Sequence, residues 1–207
     1  MEATRLREML APYLPPEAVD DLLATRLAAH LDLLLRWNQR MNLTGLRTEE
    51  EIVSRHFGES LYAAARLFLR DASGTLFDLG SGAGFPGLPI KFWAPSLEVT
   101  LIEGHGKKAT FLREVARAVN LTGITVLNAR AESVSAQAAT VTLRAVEKFD
   151  AVLPQALRLL APGGELAILI GEAQREHALS MLPAGDSSTH PLPGSQSRIL
   201  LRWRAKA

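Results

Sequence analysis

The stretch Phe77-Asp78-Leu79-Gly80-Ser81-Gly82-Ala83-Gly84-Phe85-Pro86-Gly87-Leu88-Pro89 limits what the chain can fold into more than any other. Leu76, Phe77 and Leu79 supply the apolar run of a buried strand. Gly80, Gly82 and Gly84 let the backbone turn tightly and pass close to a ligand, because no Cβ stands in the way. Pro86 suits a first helical turn, where its missing N–H is no loss. A strand, a glycine turn and a helix N-terminus in that order belong in an α/β sheet and favour a nucleotide-like ligand.

Around that unit the chain divides in two. Residues 1–72 read as a helical N-terminal extension. Leu6, Met9, Leu10 and Leu14 share one face, and Pro15-Pro16 ends that element. Ala18, Val19, Leu22 and Leu23 predict a short second helix, and Leu27, Leu31, Leu34 and Leu35 a third that ends at Trp37. Asn38 to Gly45 is a polar bend. Thr48-Glu49-Glu50-Glu51 is a capping box that opens a fourth helix, with Ile52, Val53, Phe57, Leu61, Ala64 and Phe68 facing inward. Residues 73–207 then alternate strands and helices, which argues a mostly parallel sheet. Strands are expected up to Gly80, over Leu97–Glu103, Ile124–Leu127, Val141–Ala145 and Glu165–Ile170. Helices are expected over Lys107–Val119, Ala151–Leu160 and Glu172–Met181. Pro162-Gly163-Gly164 reads as a turn and Ser187 to Ser195 as a loop. Arg198 to Arg204 reads as a closing strand, antiparallel at the far side of the sheet.

Composition excludes several classes. With 47% hydrophobic and 22% charged residues among 207, a packed core is expected. The net charge of +1 gives no global field for a polyanion, so any basic surface must come from local clustering. There is no cysteine, which removes disulfides, thiolate metal sites and a thiol nucleophile. The sequence from Met1 to Arg5 leads into no apolar core of signal-peptide length, and no run is long enough for a membrane span. A cytoplasmic protein is expected, with no metal and no membrane partner.

The spacing of the glycines selects the ligand. A dinucleotide fingerprint needs glycine at position 85, where Phe85 stands. Asp78 ahead of alternating Gly80, Gly82 and Gly84 looks more like the S-adenosylmethionine loop of class I methyltransferases. Glu103 ends the second strand about twenty residues on, where a carboxylate meets ribose hydroxyls in such folds. Ala131 and Glu132 follow the third strand and flank the adenine position. Arg144 lies within or just past the fourth strand. It faces the cofactor's carboxylate or the substrate pocket, or it is held by a neighbouring acid, since an unpaired buried charge is costly.

Absences narrow the chemistry. Exocyclic-amine methylation uses an Asn or Asp acceptor after the fourth strand, and this chain has Thr142-Leu143-Arg144-Ala145-Val146. Carbon-5 pyrimidine methylation uses a cysteine, and there is none. Attack by an existing lone pair, such as guanine N7, needs in-line positioning and little acid–base help. A site for it should tolerate or stabilise a cation. Basic residues cluster locally: Lys107, Lys108, Arg113 and Arg117 on one helix, Arg36, Arg40, Arg47 and Arg55 along the extension, and Arg198, Arg202, Arg204 and Lys206 at the end. Phosphate contact and solvated helix faces both account for such clusters.

Trp37-Asn38 with Asn42-Leu43-Thr44, Arg55-His56 with Ser60, the loop Gly80 to Pro89, and Gly106-Lys107-Lys108 with Phe111-Leu112 occur in that order. Together they resemble the bacterial 16S rRNA guanine-N7 methyltransferase family, also called glucose-inhibited division protein B, over about Leu27 to Ile170. The resemblance implies a Rossmann-like class I S-adenosylmethionine-dependent methyltransferase fold with a helical N-terminal extension. It implies methyl transfer to N7 of one guanine, guanine 527, in 16S rRNA or the small ribosomal subunit, by a monomer. Matched to the family motifs, Gly80, Phe85, Ala131, Glu132 and Arg144 fall on cofactor positions, and Glu103 on the strand-end acid. Arg144 with Arg55 or His56 would orient the base or its phosphates, and Asn42 would shape the pocket. Glu59 stands where the family carries Asp in Arg-His-x-x-Asp-Ser, and Ile170 and Ala139 depart as well. A small-molecule methyltransferase and a non-catalytic rRNA-binding assembly protein are the competing readings.

Overall fold

Alternation along the first strand decides which side of the sheet each layer occupies. In β1 (Gly74–Leu79), Leu76 joins one apolar cluster while Phe77 and Leu79 join another on the opposite face. A computed structural model describes residues 1–146 and 148–206. Its remaining strands are β2 (Leu97–Ile102), β3 (Ile124–Leu127), β4 (Ala138–Arg144), β5 (Leu160–Gly171), β6 (Gly185–Pro191) and β7 (Arg198–Ala205). They form one sheet in the order β3-β2-β1-β4-β5-β7-β6. The first five are parallel to one another, and β7 is antiparallel to both β5 and β6. The order reverses between β2 and β4 on either side of β1, so the carboxyl ends there open a crevice.

The helices are α1 (Ala3–Leu10), α2 (Asp21–Asn38), α3 (Glu49–Ile52), α4 (Glu59–Leu67), α5 (Gly87–Trp93), α6 (Gly106–Ala118), α7 (Phe149–Arg158) and α8 (Arg175–Met181). Leu6, Leu27, Leu34, Phe57 and Leu61 of the N-terminal helices share one cluster with Leu76, Val99, Leu101 and Phe111. The N-terminal helices therefore cover the sheet face that α5 and α6 cover. Phe77, Leu143, Leu153, Ile168 and Ala178 fill the other face beneath α7 and α8. No helix among the described residues is long and apolar enough to cross a membrane.

The alternating α/β order and the antiparallel last strand agree with the sequence expectation. So does the capping box, with Thr48 and Glu51 each satisfying the other's backbone N–H. Three expectations change. The short second helix and the third are one element: a 3-10 turn covers Pro16–Ala18, then Asp20 accepts from Leu23 N–H at 2.7 Å and caps a helix that runs unbroken to Asn38. Such a cap stabilises by about 1 kcal/mol. The predicted loop from Ser187 is strand as far as Pro191, because it pairs along β7. Pro162-Gly163-Gly164 lies inside β5, beside a register shift between Ala138 and Thr140 of its partner. Between α3 and α4 the helix widens to a π-helix over Val53–Gly58. A Cβ at Gly58 would sit 2.5 Å from the Tyr13 ring, so this position needs glycine for close packing.

Candidate functional site

The glycine turn leaves β1 with Gly80 and Gly82 in the left-handed region, at φ +67° and +56°. Both line a cleft of about 780 Å³ at the crevice where the strand order reverses. That size lies within the range of small-molecule sites. Gly84 faces the other way. At φ +91°, a Cβ there would lie 2.4 Å from Leu88 and 3.2 Å from Leu112, so this glycine serves packing and is not part of the lining. Beneath the turn, buried Asp78 accepts from Gly87 N–H at 3.2 Å and from the Thr142 hydroxyl at 2.7 Å. Burial pushes its pKa up to about 6 against those hydrogen bonds.

Glu103 follows β2 and lines the cleft, 8% exposed. Its Oε2 accepts from Gly82 N–H and its Oε1 from His105 N–H, both at 2.8 Å. The carboxylate is thus fastened to the glycine turn, and each oxygen keeps a lone pair for a further donor. Ala131 and Glu132 lie in a 3-10 turn after β3 and line the same cleft. Arg130 and Lys148 join them at its edge.

The opposite wall comes from the N-terminal helices and β7. Phe85 stacks on His30 at 4.9 Å and on His56 at 4.6 Å between ring centroids. His30 Nε2–H donates to the Ala83 carbonyl at 2.8 Å, so α2 holds the glycine turn from behind. His56 Nε2 is hydrogen-bonded to the Thr44 hydroxyl at 2.7 Å. Burial lowers the pKa of His30 to about 4. Burial, then the positive fields of Arg144, Arg198 and Arg55, lowers that of His56 to about 2. Both rings are neutral at pH 7.

Arg144 reaches the cleft and is held by a neighbouring acid at the same time. Its side chain is 7% exposed and lines the cleft, and its Nη2 donates to Glu59 Oε2 at 3.2 Å and to the Arg55 carbonyl. Its Nη1 has no partner among the described residues. Glu59, 2% exposed, also pairs with Arg198 from β7. One carboxylate therefore serves two guanidiniums, and burial pulls both arginine pKa values down to about 10. Arg55 is exposed at the cleft, as are Arg130 and Lys148, with Lys108 half-buried. Against these cations the lining contributes Glu103 and Glu132 among the described residues. The expected cation-stabilising pocket is, on this wall, a cationic one.

Of the residues expected from sequence, Gly80, Gly82, Phe85, Glu103, Ala131, Glu132, Arg144, Arg55 and His56 converge on the cleft. Asn42 is exposed and outside its lining. The neighbouring Asn38 shapes that bend, accepting from Leu43 N–H and Thr44 N–H at 2.9 and 3.0 Å. Ile170 lies in β5 and Ala139 at the start of β4, both away from the lining. Sequence reasoning gave no site role to Thr44, Glu59 or His30. His30 carried a signal: it interrupts the apolar stripe of Leu27, Leu31 and Leu34 on the inward face of α2. Among the described residues no group of three or more His, Asp or Glu side chains could hold a metal ion.

The family described as rRNA small subunit methyltransferase G matches residues 24–182. Ribosomal RNA small subunit methyltransferase G from Xanthomonas campestris pv. campestris strain B100 is 41% identical over 187 residues, 88% of this chain and 86% of the relative. Among solved structures, the ribosomal protein L11 methylase from Lactobacillus delbrueckii subsp. bulgaricus superposes with a TM-score of 0.62 at 14% identity, over 73% of this chain and 79% of that one. The M. jannaschii TYW2 structure in complex with AdoMet superposes with a TM-score of 0.59 at 15% identity, over 70% and 75%. At these identities the structures bear on the fold alone.

Proposed function

This chain belongs to the rRNA small subunit methyltransferase G family, and on that premise we propose that it methylates N7 of one guanine, guanine 527, in 16S rRNA. It is an S-adenosylmethionine-dependent rRNA methyltransferase on a class I methyltransferase fold. When bound, the cofactor supplies an electrophilic methyl group on a sulfonium. The observation that carries the assignment of its seat is Glu103, held to Gly82 N–H at the mouth of the crevice with free lone pairs on both oxygens. In our reading Glu103 takes the ribose hydroxyls, and Gly80 and Gly82 offer bare backbone to the amino-acid end. Phe85 and its histidine stack keep that turn in place, while Ala131 and Glu132 border the adenine.

Arg144, Arg198 and Arg55 orient the target nucleotide. N7 attacks with a lone pair already free, so no base is needed, and a neutral His56 fits that requirement. The reaction moves one positive charge and creates none, so the cationic wall does not oppose it by charge formation. That wall suits the phosphates of a polyanion better than a metabolite, which favours RNA over a small-molecule acceptor. We also propose that residues 1–72 act as an extension closing one wall over a catalytic domain of residues 73–207. Thr44 and His56 on the lining support this division. The protein would act in the cytoplasm, where small subunits are made.

The test is incubation of the protein with methyl-labelled S-adenosylmethionine and either naked 16S rRNA or 30S particles. Labelled N7-methylguanine at position 527 is expected, with at least a tenfold loss of cofactor affinity for Glu103→Ala by calorimetry. Absence of that base from both substrates overturns the reading.

A further inference from the structure

A second groove, of about 570 Å³, lies between α6 and the C-terminal end of α2 with the residues just after it. Arg36, Arg40 and Lys107 line it, all exposed, and Glu114 is the carboxylate in its lining among the described residues. None of the three cations takes part in an ion pair among the described residues. A chain of net charge +1 has therefore gathered three cations against one carboxylate in this hollow, among the described residues. Its wall holds Trp37, half-buried and braced edge-on against Phe111 at 5.7 Å. A cationic groove with an aromatic face is how proteins hold single-stranded nucleic acid: phosphates meet the charges and a base stacks on the ring.

The groove adjoins the cleft through both of its walls. Lys107 lines the groove and the next residue, Lys108, lines the cleft. Met41 lines the groove and Leu43 lines the cleft, with exposed Asn42 on the ridge between them. A strand that delivers one nucleotide to the cleft and crosses that ridge enters the groove.

We propose that this groove binds the single-stranded nucleotides flanking the target guanine, with their phosphates on Arg36, Arg40 and Lys107 and one base against Trp37. The inference rests on the rRNA methyltransferase reading for its ligand, but its test does not depend on methyl transfer. The groove lies outside the machinery assigned to the cofactor and the reacting base, so changing it alters RNA affinity alone.

The experiment measures binding of labelled, in-vitro-transcribed 16S rRNA by anisotropy at several salt concentrations. Alongside it run cofactor calorimetry and steady-state methylation. For Arg36→Ala with Arg40→Ala, the slope of log affinity against log salt becomes shallower by about 1.4, as for two lost single-strand phosphate contacts. The rRNA KM rises at least tenfold while kcat and S-adenosylmethionine affinity hold within twofold. Glu114→Lys, which adds a cation to the hollow, tightens rRNA binding. Unchanged affinity and salt slope in the double variant, or weaker binding by Glu114→Lys, overturns the proposal. So does wild-type protein that fails to bind the rRNA. Wild-type protein that binds rRNA through the groove and methylates neither it nor 30S particles overturns the functional reading and leaves the groove supported.

Discussion

Glu59 is where one side chain decides the most. Its buried carboxylate is the counter-charge for two guanidiniums from two different strands, Arg144 of β4 and Arg198 of β7. Removing its charge strands two cations in a place poor in water, and breaking a buried pair in this way costs about 3 kcal/mol or more. Glu59→Gln should therefore lower unfolding free energy by about 3 kcal/mol in urea titrations and reduce rRNA turnover. Glu59→Asp, which restores the acid usual in the family pattern, should recover most of both. Equal stability of wild type and Glu59→Gln would show that the triad contributes nothing net. The role of Glu59 was hidden from sequence because its partners lie 85 and 139 positions away, and no local pattern links them. Glu103 was legible for the opposite reason. Its position at the end of the strand after the glycine turn fixes where its carboxylate emerges.

Two glycines of similar appearance, Gly82 and Gly84, make different predictions at the scale of the loop. Gly82 has left-handed backbone, but a Cβ there meets nothing nearer than the Gly80 carbonyl at 3.7 Å. Gly82→Ala should fold, losing about 1 kcal/mol to the backbone strain, with its methyl group intruding on the cofactor. Gly84→Ala adds to the same strain a collision with Leu88 and Leu112, and should appear mainly as a fall in Tm. Thermal melts and cofactor calorimetry on the pair would separate the two. A larger Tm loss for Gly82→Ala than for Gly84→Ala would contradict the assignment. The loop, the capping box and the parallel strands were readable because each carries its own signal in glycine spacing, a reciprocal cap or a continuous apolar run. β6 was not. Its Asp-Ser-Ser-Thr-His sequence has no apolar face, and β7 alone makes it a strand. The unbroken α2 was masked because Ala18, Val19, Leu22 and Leu23 read as a short helix of their own, whereas Asp20 caps a helix that takes in Leu22 and Leu23 and leaves out Ala18 and Val19.

Across the whole molecule, three buried titratable groups set the response to acid. Unfolded, His30 and His56 gain protons as pH falls through 6.5; folded, they stay neutral until about 4 and about 2. The unfolded state holds more protons in that window, so their contribution is lost as pH falls below 6.5. Asp78 acts in the other direction. Folded, it is protonated below about 6, and unfolded only near 3.8, so stability rises as pH falls between those values. Two histidines against one carboxyl leave a net loss. Tm should fall from pH 6.5 to 4.5, less in His56→Gln and more steeply in Asp78→Asn, which removes the opposing group. Rising Tm over that range would refute the account. Thr44 and His56 precede the sheet, and Arg198 belongs to the last strand of all, yet they border one cleft. During synthesis the pocket cannot be complete until residue 198 has left the ribosomal tunnel and β7 has docked beside β5. A growing polypeptide should therefore leave the ribosome producing it unmethylated, and limited proteolysis that removes the N-terminal helices or β7 should yield no fragment competent for methylation.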